Sequence, residues 1–254
     1  MIDKQPARIA RMFDAIAGVY DVLNHLLSAG WDRRWRRRAI ESLRMAGGET
    51  VLDVCTGTAD LGLAALSARR PAGRVIGVDF SEGMLRRASR KVRRRGRAGV
   101  MELVRGDAAS LPVRSGSMDA AVVAFGLRNV ERLPAALAEI HRALAGGGRV
   151  AILEFAIPEK GVLRSAYLWY FTQVLPAIGR VLSGHGSAYA YLPASVQAFP
   201  RPAAVAALLR ESGFSGVTAV RLTAGIVYLY MGTKGPGPGH IAGSAPGPAI
   251  RPML

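Results

Sequence analysis

From residue 50 onward, short aliphatic and β-branched runs alternate with helical stretches, and this alternation restricts the fold more than any other feature of the chain. Thr50-Val-Leu-Asp-Val-Cys55, Arg74-Val-Ile-Gly-Val-Asp79, Met101 to Arg105, Met118 to Phe125 and Arg149 to Phe155 read as strands. Between them, helices are predicted from about Asp60 to Arg69, from Glu82 to about Arg95 behind a capping Ser81, and from Leu133 to Leu144. Gly146-Gly-Gly148 is expected to stop the last of these. The pattern calls for a mainly parallel sheet with helices on its faces. Aromatic-rich helical material interrupts it at 158–200, and a helix over Arg201 to Ser212 follows. Val217–Leu222 and Ile226–Thr233 can then pair as a closing hairpin.

Three segments are expected. Residues 1–46 form a helical cap, in which Met12-Phe13, Ile16 and Tyr20 recur at helical spacing and Trp31 to Arg38 is strongly basic. Residues 47–234 carry the α/β domain, and 235–254 is a Gly/Pro-rich tail without periodicity, expected to be disordered. A chain of 254 residues buries enough core to fold without staples, and a single cysteine, Cys55, excludes a disulfide framework. Met1 to Ile9 has no apolar signal-peptide core, and the most apolar stretch, Val162 to Leu182, is interrupted by Arg164, Gln173, Pro176 and Arg180. The expected location is cytoplasmic. The unusual quantity is charge: 34 basic against 18 acidic residues give +16, and only four of the basic residues are lysines. That excess predicts attraction to polyanions or anionic membranes, or reflects a genome that favours arginine codons.

In an open parallel sheet, ligands bind beyond the carboxyl ends of the strands. The first strand ends in Asp53-Val-Cys55-Thr-Gly57-Thr58-Ala-Asp60, where Gly57 lets backbone approach a ligand and the next helix offers free N–H groups. Neither a G-x-G-x-x-G fingerprint nor a P-loop lysine is present, which counts against dinucleotides and nucleoside triphosphates. Asp79 closes the second strand, where a carboxylate can accept both ribose hydroxyls of a nucleoside. Asp107-Ala108 closes the third, within reach of an adenine amino group. Together these describe an adenosine site without a pyrophosphate clamp, whose natural occupant is S-adenosylmethionine. No metal is expected.

Four stretches carry a family resemblance: Met12-Phe-Asp-Ala-Ile-Ala-Gly-Val-Tyr-Asp21 with Asn24; Asp53 to Asp60; Phe125-Gly-Leu-Arg-Asn-Val130 followed by Leu153-Glu-Phe155; and Tyr191-Leu-Pro-Ala-Ser195 followed by Phe199-Pro200. Over roughly residues 8 to 234 the chain resembles the ubiquinone/menaquinone-biosynthesis C-methyltransferases, and the Phe-Gly-Leu-Arg-Asn-Val block is the most specific element. The resemblance implies a class I methyltransferase fold, a Rossmann-like seven-stranded sheet with its last strand antiparallel, N-terminal helices and a helical insert. Its cofactor contacts map onto Thr58, Asp79, Asp107 and Ala108, with Asp53, Gly57 and Asp60 of the first strand-end motif as further cofactor-binding candidates. A further contact, frequently serine in the family, is Ala124 here, and Cys55 and Ala59 stand where glycines are common.

The implied reaction is methylation of a ring carbon, converting demethylmenaquinol to menaquinol, with the equivalent step of ubiquinone biosynthesis as the alternative. Arg128 and Asn129 are placed to orient the ring oxygen, Tyr20 to close the pocket, and Asp60 to fix the cofactor amino group. His25 and His185 are weaker candidates for a base, and His141 is expected to be exposed on its helix. The insert, with Leu163, Tyr167, Leu168, Trp169, Tyr170, Phe171, Val174 and Leu175, can line a channel for a prenylated quinol, touch the membrane peripherally, or pack against the domain or a homodimer partner. RNA methylation is the competing reading that the charge invites. No nucleic acid is expected, because no Asn/Asp-Pro-Pro-aromatic tetrad follows the fourth strand and the only thiol lies in the cofactor turn. A catalytically idle quinone-binding module and an O- or N-methyltransferase of the same fold are further alternatives.

Overall fold

A computed structural model describes residues 4–18, 25, 28, 30–158, 162–169, 173 and 186–236. Seven strands form one sheet in the order β3-β2-β1-β4-β5-β7-β6: β1 Thr50–Val54, β2 Arg74–Asp79, β3 Met101–Arg105, β4 Met118–Ala124, β5 Leu144–Phe155, β6 Phe214–Leu222 and β7 Val227–Lys234. Strands β1 to β5 pair in parallel, and β7 runs antiparallel to both its neighbours. The closing hairpin therefore inserts its second strand between β5 and β6.

Side-chain alternation distributes the core over two faces. Val51 and Val75 point to one face, packed by α2 (Trp31–Ser42), α3 (Asp60–Leu66) and α4 (Glu82–Arg94). Leu52, Val54 and Val78 point to the other, covered by α5 (Leu133–Ala143) and α8 (Pro202–Glu211). The remaining described helices are α1 (Pro6–Ile16), α6 (Val162–Trp169) and α7 (Gly186–Ala198). Helix α2 is anchored by Trp35, whose indole N–H donates to Thr223 Oγ1 at 2.8 Å and whose ring meets Phe125 and Phe155 edge-on.

The triple glycine differs from expectation. Helix α5 already ends at Ala143, and Ala145–Gly148 forms a bulge within β5, between the pairs Met118↔Leu144 and Ala120↔Arg149. The helix end is instead held by Lys234, whose ammonium donates to the carbonyls of His141 at 2.8 Å and Leu144 at 2.7 Å. In the insert, Tyr167 is buried and Trp169 is 63% exposed, whereas Tyr170, Phe171, Val174, Leu175 and His185 lie outside the described residues. The tail lies outside them from residue 237. Among the described residues no helix is long and apolar enough to cross a membrane.

Candidate active site

The turn after β1 is built on three residues at positive φ: Cys55 (55°), Gly57 (54°) and Ala59 (71°). Cys55 and Ala59 hold left-handed backbone without being glycine, a local cost of about 1 kcal/mol each. A buried carboxylate offsets it. Asp53, 1% exposed, receives the Thr56 hydroxyl at 2.6 Å and the Gly62 N–H at 2.9 Å, both on Oδ2. Burial pushes this carboxyl up to about 7, against the pull of those two hydrogen bonds. By alternation Asp53 faces α3, so its carboxylate is turned into the loop and away from the strand-end cleft.

Asp79 occupies the cleft. Its Oδ2 takes the Gly57 N–H at 2.8 Å and its Oδ1 takes the Ser81 N–H at 2.9 Å, and the Phe80 N–H also bonds this carboxylate, which still leaves it acceptor capacity for a ligand hydroxyl. Burial raises its pKa despite the backbone donors. Asp79, Gly57, Ala124 and Asn129 line a small cavity of about 30 Å³ with Phe13 and Cys55. A neighbouring cavity of about 200 Å³ shares Cys55, Phe80 and Asn129 with it, and adds Asp107, Ala108 and Lys4. Four strand ends thus converge on one cleft.

The turn after β4 mirrors the one after β1. Phe125 has φ 59°, and Gly126 packs so tightly that a Cβ there would lie 2.4 Å from Cys55 Cβ. A 3₁₀ turn, Leu127–Asn129, follows. Arg128 is 5% exposed and ion-paired with fully buried Glu154: its Nη1 donates to Oε1 at 2.8 Å and to the Phe125 carbonyl, and its backbone N–H donates to Oε2 at 3.2 Å. The guanidinium also lies 5.5 Å from the Phe155 ring centroid. Arg128 therefore holds the turn from behind, while Asn129, 7% exposed, lines both cavities with a buried Oδ1 that has no hydrogen-bond partner among the described residues. An orphaned buried amide oxygen beside a cavity is a group that awaits a ligand.

The remaining expected residues stand apart. Thr58 and Asp60 are joined to α4 through Lys91, whose ammonium lies 3.0 Å from Thr58 Oγ1 and 2.8 Å from Asp60 Oδ1. Asp60 also faces Arg36 at 3.5 Å, on the outer side of α3. Tyr20 lies outside the described residues. His25 pairs with Asp32 away from the cleft, its Nδ1 3.0 Å from Oδ1. His141 is half-buried rather than exposed, edge-on to Phe214 at 5.0 Å, and burial lowers its pKa. Sequence reasoning overlooked three residues. Glu154 is the buried partner of Arg128, Lys4 reaches the larger cavity, and Asp14 receives the Ser81 hydroxyl at 2.5 Å and the Gly83 N–H at 2.8 Å at the start of α4. Asp14 fastens α1 over the cleft beside Asp79. The Met12-Phe-Asp segment and the Leu-Glu-Phe155 block were the available signals, but neither contains its partner.

Adenosine and a sulfonium suit this donor set. Asp79 keeps acceptor lone pairs at the end of β2, Asp107 lies at the end of β3, and among the described residues lining the two cavities only Lys4 and Arg132 are cationic. The ubiE/COQ5 methyltransferase family model matches residues 1–234. The chain is 44% identical over 223 residues to the demethylmenaquinone methyltransferase of Thermus thermophilus, covering 88% of this chain and 100% of that protein. It is 41% identical to the ubiquinone/menaquinone biosynthesis C-methyltransferase UbiE of Geobacter sp. strain M21, over 92% of this chain and 99% of that one. Among solved structures it resembles a SAM-dependent methyltransferase from Aquifex aeolicus, with a TM-score of 0.56 and 17% identity over 78% of this chain and 88% of that one. With its sheet order, its strand-end acids and its Phe-Gly-Leu-Arg-Asn-Val turn in place, the chain belongs to the ubiE/COQ5 methyltransferase family.

Proposed function

We propose that the chain methylates a ring carbon of a prenylated quinol, with demethylmenaquinol as substrate and menaquinol as product. The observation that carries this reading is Asn129: a buried amide, its oxygen unpartnered among the described residues, on a turn clamped from behind and lining the cleft that Asp79 and Asp107 border. S-adenosylmethionine supplies an electrophilic methyl group on sulfur. Asp79 accepts the ribose hydroxyls, Asp107 and Ala108 border the adenine, and the Gly57 turn borders the remainder. The Asn129 Oδ1 accepts a hydrogen bond from the quinol hydroxyl and so orients the ring; that hydroxyl proton passes to solvent water, the ring carbon takes the methyl, and the cofactor leaves as the neutral thioether S-adenosylhomocysteine. Arg128 is a positioning residue here rather than a direct contact, since Glu154 already neutralises it. Phe13 and Lys4, carried over the cleft by α1, exclude water.

Asp53, assigned to the cofactor by its place in the motif, serves in this reading to shape the loop, and Thr58 and Asp60 to tie that loop to α4. Residues 1–46 act as the cap, 47–234 as the catalytic domain and 158–200 as the substrate-side insert. The enzyme works without a metal, in the cytoplasm, at the inner face of the membrane that holds the quinol. A second reading, methylation of the ubiquinone precursor, is favoured by the double name of relatives such as the Geobacter protein. The test is incubation of the purified chain with methyl-labelled S-adenosylmethionine and, in separate reactions, demethylmenaquinol, the demethylated ubiquinone precursor or RNA. Label is expected in the naphthoquinol. Label only in the benzoquinol selects the second reading, and label only in RNA overturns both.

A further inference from the structure

A cavity larger than either part of the strand-end cleft lies apart from it. A groove of about 550 Å³ runs along the outer face of α3, between α2 and α4, and shares no lining residue with the two catalytic cavities. Leu63 and Ala64 provide an apolar floor, and Arg33, Arg36, Lys91 and Arg95 stand along its walls. Two carboxylates enter it, and each is occupied in holding the walls. Asp32 pairs with Arg36, and Asp60 lies 2.8 Å from Lys91 and 3.5 Å from Arg36. Cations therefore exceed acids in the groove, and Arg33 and Arg95 are exposed at its rim.

The excess continues on both sides. Exposed Arg34, Arg37 and Arg38 extend it along α2, and exposed Arg93 and Arg94 along α4. At the first residue of α2, Trp31 is 43% exposed, with the Arg34 guanidinium 4.8 Å from its ring centroid. An apolar floor, cationic walls and a tryptophan at the edge are the chemistry of an interfacial contact with an anionic bilayer: arginines meet headgroup phosphates and the indole sits at headgroup depth.

We propose that the α2–α4 face docks the protein on an anionic phospholipid surface, with headgroup phosphates in the groove and Trp31 at the interface. The proposal rests on the prenylated-quinol reading above, because a methylase of a lipid-soluble substrate gains by residence at the bilayer. Each arginine near such a surface favours binding by about fivefold, and raising salt weakens the attraction.

The test is sedimentation of the full chain with vesicles of phosphatidylcholine alone or with 30% phosphatidylglycerol, without substrate. Three proteins are compared: the natural chain, Arg33→Glu/Arg34→Glu/Arg94→Glu/Arg95→Glu, and a charge-matched control, Arg69→Glu/Arg70→Glu/Arg114→Glu/Arg210→Glu. The natural chain should bind the anionic vesicles selectively and with a blue shift of tryptophan emission that Trp31→Phe removes. The face variant should lose at least a hundredfold in partitioning, and the control less than tenfold. Methylation of a short-chain, water-soluble demethylmenaquinol should be unchanged in the face variant, which also establishes that it is folded. Absence of vesicle binding by the natural chain, equal losses in both quadruple variants, or face-dependent binding to RNA without binding to vesicles would each overturn the docking surface. If the natural chain binds vesicles yet methylates no quinol, the docking surface stands and the proposed substrate falls.

Discussion

The turns after β1 and β4 solve the same problem with opposite electrostatics. Each begins with a non-glycine residue in left-handed backbone, Cys55 (φ 55°) and Phe125 (φ 59°), and each is secured by a buried carboxylate. At β1 the carboxylate, Asp53, meets only neutral donors, Thr56 and Gly62, both on a single oxygen. At β4 the carboxylate, Glu154, meets a guanidinium and two backbone N–H groups, of Arg128 and Phe155. The first arrangement tolerates a proton on its free oxygen, while the second needs its charge to neutralise Arg128. One turn therefore responds to pH and the other to loss of its partner. Both abut at Gly126 and Cys55, so the cleft is only as well formed as the weaker of the two.

The largest effect is expected from breaking the ion-paired turn. Glu154→Ala leaves Arg128 charged and buried, and should destabilise the protein by about 3–5 kcal/mol in denaturant unfolding. A loss below about 1 kcal/mol would mean that the pair is dispensable. Asn129→Ala probes the cavity side of the same turn. Turnover should fall about 100-fold, with unfolding midpoint and S-adenosylmethionine affinity nearly unchanged, as for loss of a contact that holds the substrate in attack geometry. A drop in affinity instead would assign Asn129 to the cofactor.

Gly126→Ala tests the contact between the turns. The new methyl would overlap Cys55 Cβ, costing about 2 kcal/mol as overpacking, and Cys55→Gly in the same chain should restore most of it. Failure of that rescue would place the strain elsewhere. The smallest effect, and the only one that changes with pH, is Asp53→Asn. In the folded protein Asp53 is raised from 3.8 to about 7, so its stabilisation is complete below about pH 4 and is lost as pH rises through 7. The amide mimics the protonated acid and keeps an acceptor for Thr56 and Gly62. It should thus gain on the natural chain by about 1 kcal/mol between pH 5 and pH 6, measured by chemical unfolding. A variant that falls further behind as pH rises would refute the neutral-donor account.

Much of this site could be read before any coordinates, and for a definite reason. Asp79, Gly57, Asp107 and Ala108 stand at the carboxyl ends of strands whose aliphatic runs are unmistakable, and a parallel sheet brings those ends together whatever the details of packing. Asp53 stands in the same motif as Gly57, and its parity in the strand adds what the motif alone does not show. Alternation in β1, with Val51 on the α3 side and Leu52 and Val54 on the other, already turns Asp53 toward α3. Lys234 shows the opposite case: no local pattern marks the last residue of β7 as the cap of α5.

By itself the sequence determined the order of strands and helices, the acids at the strand ends, and the adenosine-like character of the cleft, since each follows from periodicity and position within a short segment. Only the tertiary structure decided the partners. Glu154 meets Arg128 from a strand 26 residues away, and Asp14 reaches the start of α4 from 69 residues upstream, contacts that no local period encodes. The charge of +16 was legible from the first reading, but its gathering on one face along α2 and α4 came from packing α3 between two basic helices. A linear pattern specifies which face of an element is apolar. Which element lies opposite is chosen by the closure of the whole sheet.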